Sequence, residues 1–174
     1  MKNTTIEIGK TVTVADNEFI VLDKLENGVP CLSKDFVYKN IMFDDNTNNY
    51  ANSIIREKLN TEFLEKIANA IGEENIIASE IDLTSDDGLD DYGKVTDKVG
   101  LLTADMYRKY NRIIEKYPVN DWWWLATPWS TPHRGYRFFV RCVRDNGALS
   151  SRSCYYYDRG VRPFLIFSPI IFES

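Results

Sequence analysis

At 174 residues, 44% hydrophobic and 13% aromatic, the chain suits one domain of ordinary size and is too apolar for a wholly disordered protein. A chain this long buries roughly 70% of its unfolded surface, so it needs no disulfide or metal to fold. The formal net charge of −5 argues against a general duplex binder, whose affinity comes from Lys and Arg on phosphates.

The opening MKNTTIEIGK lacks the apolar core of a signal peptide. No run approaches the about 18 apolar residues of a membrane helix, so a soluble cytoplasmic protein is expected. Strands are predicted over 4–38. Thr11 to Val14 alternates, and Glu18 to Leu25 is rich in β-formers. Asn27-Gly28 has the composition of a type I′ turn, and Pro30 belongs at a strand start or edge. The period then changes. Ile55, Leu59, Phe63, Ile67 and Ile71 line one face of a helix predicted over 52–71. Asn52 or Ser53 caps its start, and Gly72 suits a left-handed C-cap.

Residues 73–98 carry nine acidic residues against two lysines, and Ser85 to Gly93 reads as an exposed loop. A second helix is predicted over 103–116, with Thr103 as N-cap and Met106, Tyr110, Ile113 and Ile114 facing inward. The last third reads as a sheet over 122–168. Its strands are Trp122 to Ala126, Tyr136 to Arg144, Ala148 to Tyr157 and Gly160 to Phe167, with a turn at Asp145-Asn146-Gly147. No repeat or linker marks a boundary, so a single α+β domain is expected, with N-terminal β-hairpins, two main helices and a C-terminal antiparallel sheet.

Four stretches, in order, resemble the bacterial and phage family known as domain of unknown function 6273. The first is the hairpin Glu18-Phe19-Ile20-Val21-Leu22 to Cys31-Leu32-Ser33-Lys34. The second is Tyr50-Ala51-Asn52-Ser53-Ile54-Ile55-Arg56-Glu57-Lys58-Leu59-Asn60 with Phe63. The third is Gly100-Leu101-Leu102-Thr103. The fourth joins Trp123-Trp124-Leu125-Ala126-Thr127-Pro128 to Gly160-Val161-Arg162-Pro163. Lys58 stands where the family has Trp, and Ala126 where it has Arg; a binding role for that Arg would be missing here. The resemblance implies a C-type-lectin-like C-terminal half, a scaffold that displays variable binding surfaces, and it implies no activity.

The residues offer little catalytic chemistry. His133 is the sole histidine and has no local nucleophile or metal-binding partner. Cys142 lies between Arg141 and Arg144 but alternates with Phe138 and Val140 into the core. Cys31, Cys142 and Cys154 read as buried reduced thiols, although a Cys142–Cys154 bridge is geometrically open. There is no Cys-x-x-Cys, no His pair and no glycine-rich phosphate loop. The aspartates at 82–91 do not fit EF-hand spacing. No catalytic residue, metal ligand or cofactor is therefore assigned.

What remains is a surface. From 134 to 162 there are seven arginines against two aspartates, interleaved with tyrosines, and Tyr, Trp and Arg carry much interface energy. The binding residues expected are Trp129, His133, Arg134, Tyr136, Arg152, Tyr155 and Tyr157, with Asp86, Asp87, Asp90 and Asp91 on the acidic loop. Whether the arginines face a partner or pair with residues 73–98 stays open. The first expectation is a non-enzymatic module binding a protein, with no membrane and no direct duplex contact. The second is an inhibitor from a phage or mobile element, of the anti-CRISPR type, whose carboxylates occupy the channel of a nucleic-acid-handling protein. A Cys/His hydrolase is a third, and a sugar or nucleic-acid binder a fourth.

Overall fold

The computed structural model describes residues 5–173; the predicted strand start at residue 4 lies outside them. The chain begins with β1 (Thr11–Val14), β2 (Asn17–Val21), β3 (Val29–Ser33) and β4 (Tyr38–Ile41). Next come α1 (Ile54–Lys58), a π-helical turn over Leu59–Phe63, and α2 (Leu64–Ile71). Four short strands follow: β5 (Ile76–Ile77), β6 (Ser79–Asp82), β7 (Lys94–Asp97) and β8 (Val99–Gly100). Helix α3 (Ala104–Ile114) precedes β9 (Trp123–Pro128), β10 (Phe139–Val143), β11 (Leu149–Ser153), β12 (Arg159–Val161) and β13 (Phe164–Phe167). The fold is α+β, as the sequence predicts.

One sheet runs β1-β2-β3-β13-β5, with β8 also on β13, and all its pairings are antiparallel. The other runs β11-β10-β9-β12-β4. It departs from the expected antiparallel C-terminal sheet in two ways. Gly160 pairs parallel to Trp123, and the N-terminal β4 forms one edge. Gly160 to Phe167 is also not one strand. Arg162-Pro163 carries the chain from the second sheet into the first, where the Pro163 carbonyl accepts the Ser33 N–H (2.9 Å). Gly160 is required at this crossing, because a Cβ there would sit 2.5 Å from the Phe36 ring.

The central strands β3, β9 and β12 are buried on both faces, which explains runs that are apolar without alternating. Phe19 and Val21 join Trp124, Ala126, Val140 and Cys142 beneath α1 and α2, where Ile55, Leu59, Phe63 and Ile67 supply the helical face. Ile20 and Leu22 point the other way, to Trp123, Leu125 and Val143 beneath Ala104, Tyr107 and Ile114 of α3. Met106, Tyr110 and Ile113 are only partly buried there. Ser53 and Thr103 cap their helices by accepting the N–H of Arg56 (3.1 Å) and Met106 (3.2 Å). Gly72 has the expected positive φ (86°), but its ψ of 134° lies outside the left-handed helical region.

Two turns differ from expectation. Asn27-Gly28 is not a type I′ turn: Leu25 and Gly28 bond to each other around Glu26-Asn27, and neither Asn27 nor Gly28 has positive φ. The two-residue loop with both φ positive is Ala15 (48°) and Asp16 (63°), between β1 and β2. Residues 73–98 are likewise not all loop, since β6 and β7 pair from Ser79↔Asp97 to Asp82↔Lys94.

Candidate interaction surface

The acidic segment and the loop after β9 form one surface. The Asp86 N–H donates to the Pro128 carbonyl (3.0 Å). Ser130 Oγ donates to Asp87 Oδ2 (2.7 Å), and Thr131 Oγ1 donates to Asp91 Oδ2 (2.5 Å). The Ser85 hydroxyl donates to Asp87 as well. From below, the buried Asn48 amide donates to the carbonyls of Ser130 (2.9 Å) and Phe139 (3.0 Å), and its oxygen accepts from Tyr92 (2.6 Å). The Ser85 and Ser130 hydroxyls, with Arg134 adding, hold the Asp87 carboxyl below its ordinary range. Asp90 is exposed, and its backbone carbonyl closes the turn to Gly93 (3.0 Å).

The arginines all have neighbours within the molecule. Arg141 Nε lies 3.0 Å from Asp86 Oδ2, and Arg108 Nη2 lies 2.8 Å from Asp86 Oδ1. Arg134 reaches Asp87 at 3.5 Å. Arg152 and Arg159 share Asp158 (3.2 and 2.9 Å), and Arg152 also covers the Tyr156 ring at 3.9 Å. Arg144 and Arg159 lie over Trp122 (4.6 and 4.2 Å), and Arg137 lies over Phe138 and bonds to Asn46. Arg162 is buried beneath the surface. Arg134 and Arg141 thus pair with the acidic segment and Arg152 and Arg159 with Asp158, whereas Arg137, Arg144 and Arg162 meet rings, an amide or carbonyls instead of an acid.

The aromatic residues are different. Trp129 meets Tyr136 and Phe139 edge-on (4.7 and 5.8 Å), forming an exposed trio. Tyr155 packs on Phe138 (5.5 Å) and stacks on Tyr156 (5.2 Å), with Tyr157 beyond at 69% exposure. Among the described residues, every exposed large aromatic side chain lies between Trp129 and Tyr157. His133 is exposed in the 3-10 turn Pro132–Arg134. Phe139 and Tyr156 also belong to this surface, although neither is among the binding residues expected from the sequence. The signal for Phe139 was its phase, opposite to Val140 in the strand.

The cysteines do not contribute a nucleophile to this surface. All three are buried and unpaired. Burial pushes the Cys154 thiol up to about 11, the Cys31 thiol further, and the Cys142 thiol upward too. A protonated, enclosed thiol is inert, since the thiolate is the reactive form.

The motif residues have structural tasks. Arg56 grips Asp97 with Nε and Nη2 (both 2.8 Å) and donates to the Ala51 carbonyl (2.8 Å). Asn60 donates to the Val99 carbonyl (2.9 Å) and accepts its N–H (3.2 Å). This polar knot ties the α1 turn to the β6–β7 hairpin. Lys58 pairs with Glu62 (3.2 Å) over the Tyr38 ring. Ala126 is fully enclosed, so its position presents no side chain to solvent.

Fold and surface together define an α+β domain with a partly paired charged face and an exposed aromatic rim. The chain belongs to the family described as a domain of unknown function (DUF6273), whose model matches residues 27–169. No curated protein and no solved structure matches it. Among the described residues, no helix is long and apolar enough to cross a membrane, and no group of three or more His, Cys, Asp or Glu is placed to hold a metal ion.

Proposed function

We propose that this chain is a non-catalytic recognition module that meets a protein partner through the aromatic rim at the end of β10 and β11. The observation that carries the reading is the confinement of every exposed large aromatic among the described residues to 129–157. Clustered apolar surface of this kind marks interaction sites, and Trp and Tyr anchor them at low entropic cost. The arginines around the rim hold its rings and backbone in place, so the surface is preorganised. The proposal takes the C-terminal part as a C-type-lectin-like scaffold that varies its loops at 127–137 and 145–160, and places the chain in the cytoplasm.

The test is affinity capture from a bacterial lysate with mass spectrometry, comparing the wild type with Trp129→Ala and Tyr155→Ala. Recovery of a specific partner should fall by more than about tenfold, with thermal stability nearly unchanged. Equal recovery by both variants rejects the rim. A captured nucleic-acid-handling protein that is released by salt, and retained by both variants, would favour the mobile-element inhibitor reading instead.

A further inference from the structure

A cavity of about 260 Å³ opens between the end of α3 and the Arg144–Gly147 turn, away from the aromatic rim. Its lining includes Ile114, Val119, Trp123, Val143 and Arg162, and the exposed Glu115, Arg144 and Asp145, two acids and one base, line it as well. Arg162 is 1% exposed. Its guanidinium donates through Nε to the Ser33 carbonyl (3.0 Å) and through Nη2 to the carbonyls of Lys34 (2.8 Å) and Tyr117 (3.3 Å). It forms no ion pair among the described residues, so at close range only carbonyl dipoles meet its charge, with Asp35 farther off. A buried charge is ordinarily paired, because desolvation without a counter-ion is costly. Burial lowers the Arg162 pKa to about 10, with Asp35 opposing at longer range, so the cation persists at neutral pH.

We propose that this cavity binds a small monocarboxylate with a compact apolar body, its carboxylate on Arg162 and its body against Trp123, Ile114 and Val143. Nε and Nη2 are held by the backbone, and among the described residues Nη1 makes no hydrogen bond, so Nη1 is the donor assigned to the ligand. The volume lies just under the range of drug-sized sites, which limits the ligand to something small. The Trp123 ring, 5.0 Å from the guanidinium and edge-on to Tyr107 at 5.7 Å, fixes both the cation and the apolar wall.

The probes are phenylacetate and its neutral amide, phenylacetamide, titrated calorimetrically into the full chain. Phenylacetate should bind, and the amide at least about tenfold more weakly, because charge-assisted hydrogen bonds are roughly twice as strong as neutral ones. Val119→Trp, which fills the cavity from its half-buried wall, should abolish phenylacetate binding without lowering the melting temperature. Arg162→Lys should do the same to binding if it folds. No phenylacetate binding at millimolar concentration, equal affinity for the amide, or unchanged binding by Val119→Trp overturns the proposal.

Discussion

Asp86 and Arg141 face each other at 3.0 Å across the boundary between the acidic segment and β10, with side-chain exposures of 22% and 16%. The same carboxylate takes Arg108 of α3 at 2.8 Å. One acid therefore joins a loop, a helix and a strand. Replacing it with asparagine leaves Arg141 half-enclosed without its counter-charge. Urea unfolding of Asp86→Asn should show a loss of about 1–2 kcal/mol; an unchanged midpoint would mean the pair is idle. A loss also bears on the inhibitor reading, because neutralising this carboxylate would disturb the surface rather than only remove a charge from it.

The Arg56–Asp97 pair makes a second stability prediction. Both nitrogens of a fork meet both carboxylate oxygens, and the Asp97 side chain is only 7% exposed. Asp97→Ala should cost about 2–4 kcal/mol by the same measurement. Hydrogen exchange should also quicken in the β6–β7 hairpin, which this pair attaches to α1.

Asp87 supplies the pH dependence. Its folded-state pKa lies below the ordinary 3.8 because the Ser85 and Ser130 hydroxyls donate to the charged form. Its contribution is therefore complete above about pH 4 and is lost as pH falls through the lowered folded value. The stability gap between wild type and Asp87→Asn should be constant near neutrality and shrink below pH 3.8. A gap that stays constant through that range would show that the hydroxyl bonds do not form.

The β1–β2 turn is open to improvement. Ala15 and Asp16 both hold positive φ, which costs an L-residue with a Cβ roughly 1–2 kcal/mol. Asn-Gly is the pair that such a two-residue hairpin favours. The double substitution Ala15→Asn and Asp16→Gly should raise stability by about 1 kcal/mol in thermal unfolding. Destabilisation would argue against this turn geometry.

Much of the fold was legible because its signals are local. The four-residue spacing from Ile55 to Ile71 and the caps at Ser53 and Thr103 depend only on near neighbours. The β6–β7 hairpin was hidden because its outward positions are charged and only Ile81 and Val95 point toward apolar neighbours. The Ala15-Asp16 turn carries neither the asparagine nor the glycine that announces such a loop. The strand exchange at Arg162-Pro163 depends on which sheet each flanking residue meets, which no local pattern encodes. For the surface, composition located the aromatic rim. It left open whether the arginines pair with the acidic segment, and it did not name the contacts of Asp86, Asp87 and Asp91 with Arg141, Arg134 and Thr131, because those partners are brought together only by the docking of the acidic segment on the loop after β9.

The central claim, that the aromatic rim is where a protein partner docks, is tested most directly by photo-crosslinking in a bacterial lysate. A photoreactive phenylalanine analogue would replace Tyr157, the most exposed of the rim's rings, and in a second sample Glu65 on the outer side of α2. The account predicts a discrete protein adduct from position 157 and none from position 65. No adduct from 157, or the same adducts from both positions, would contradict it.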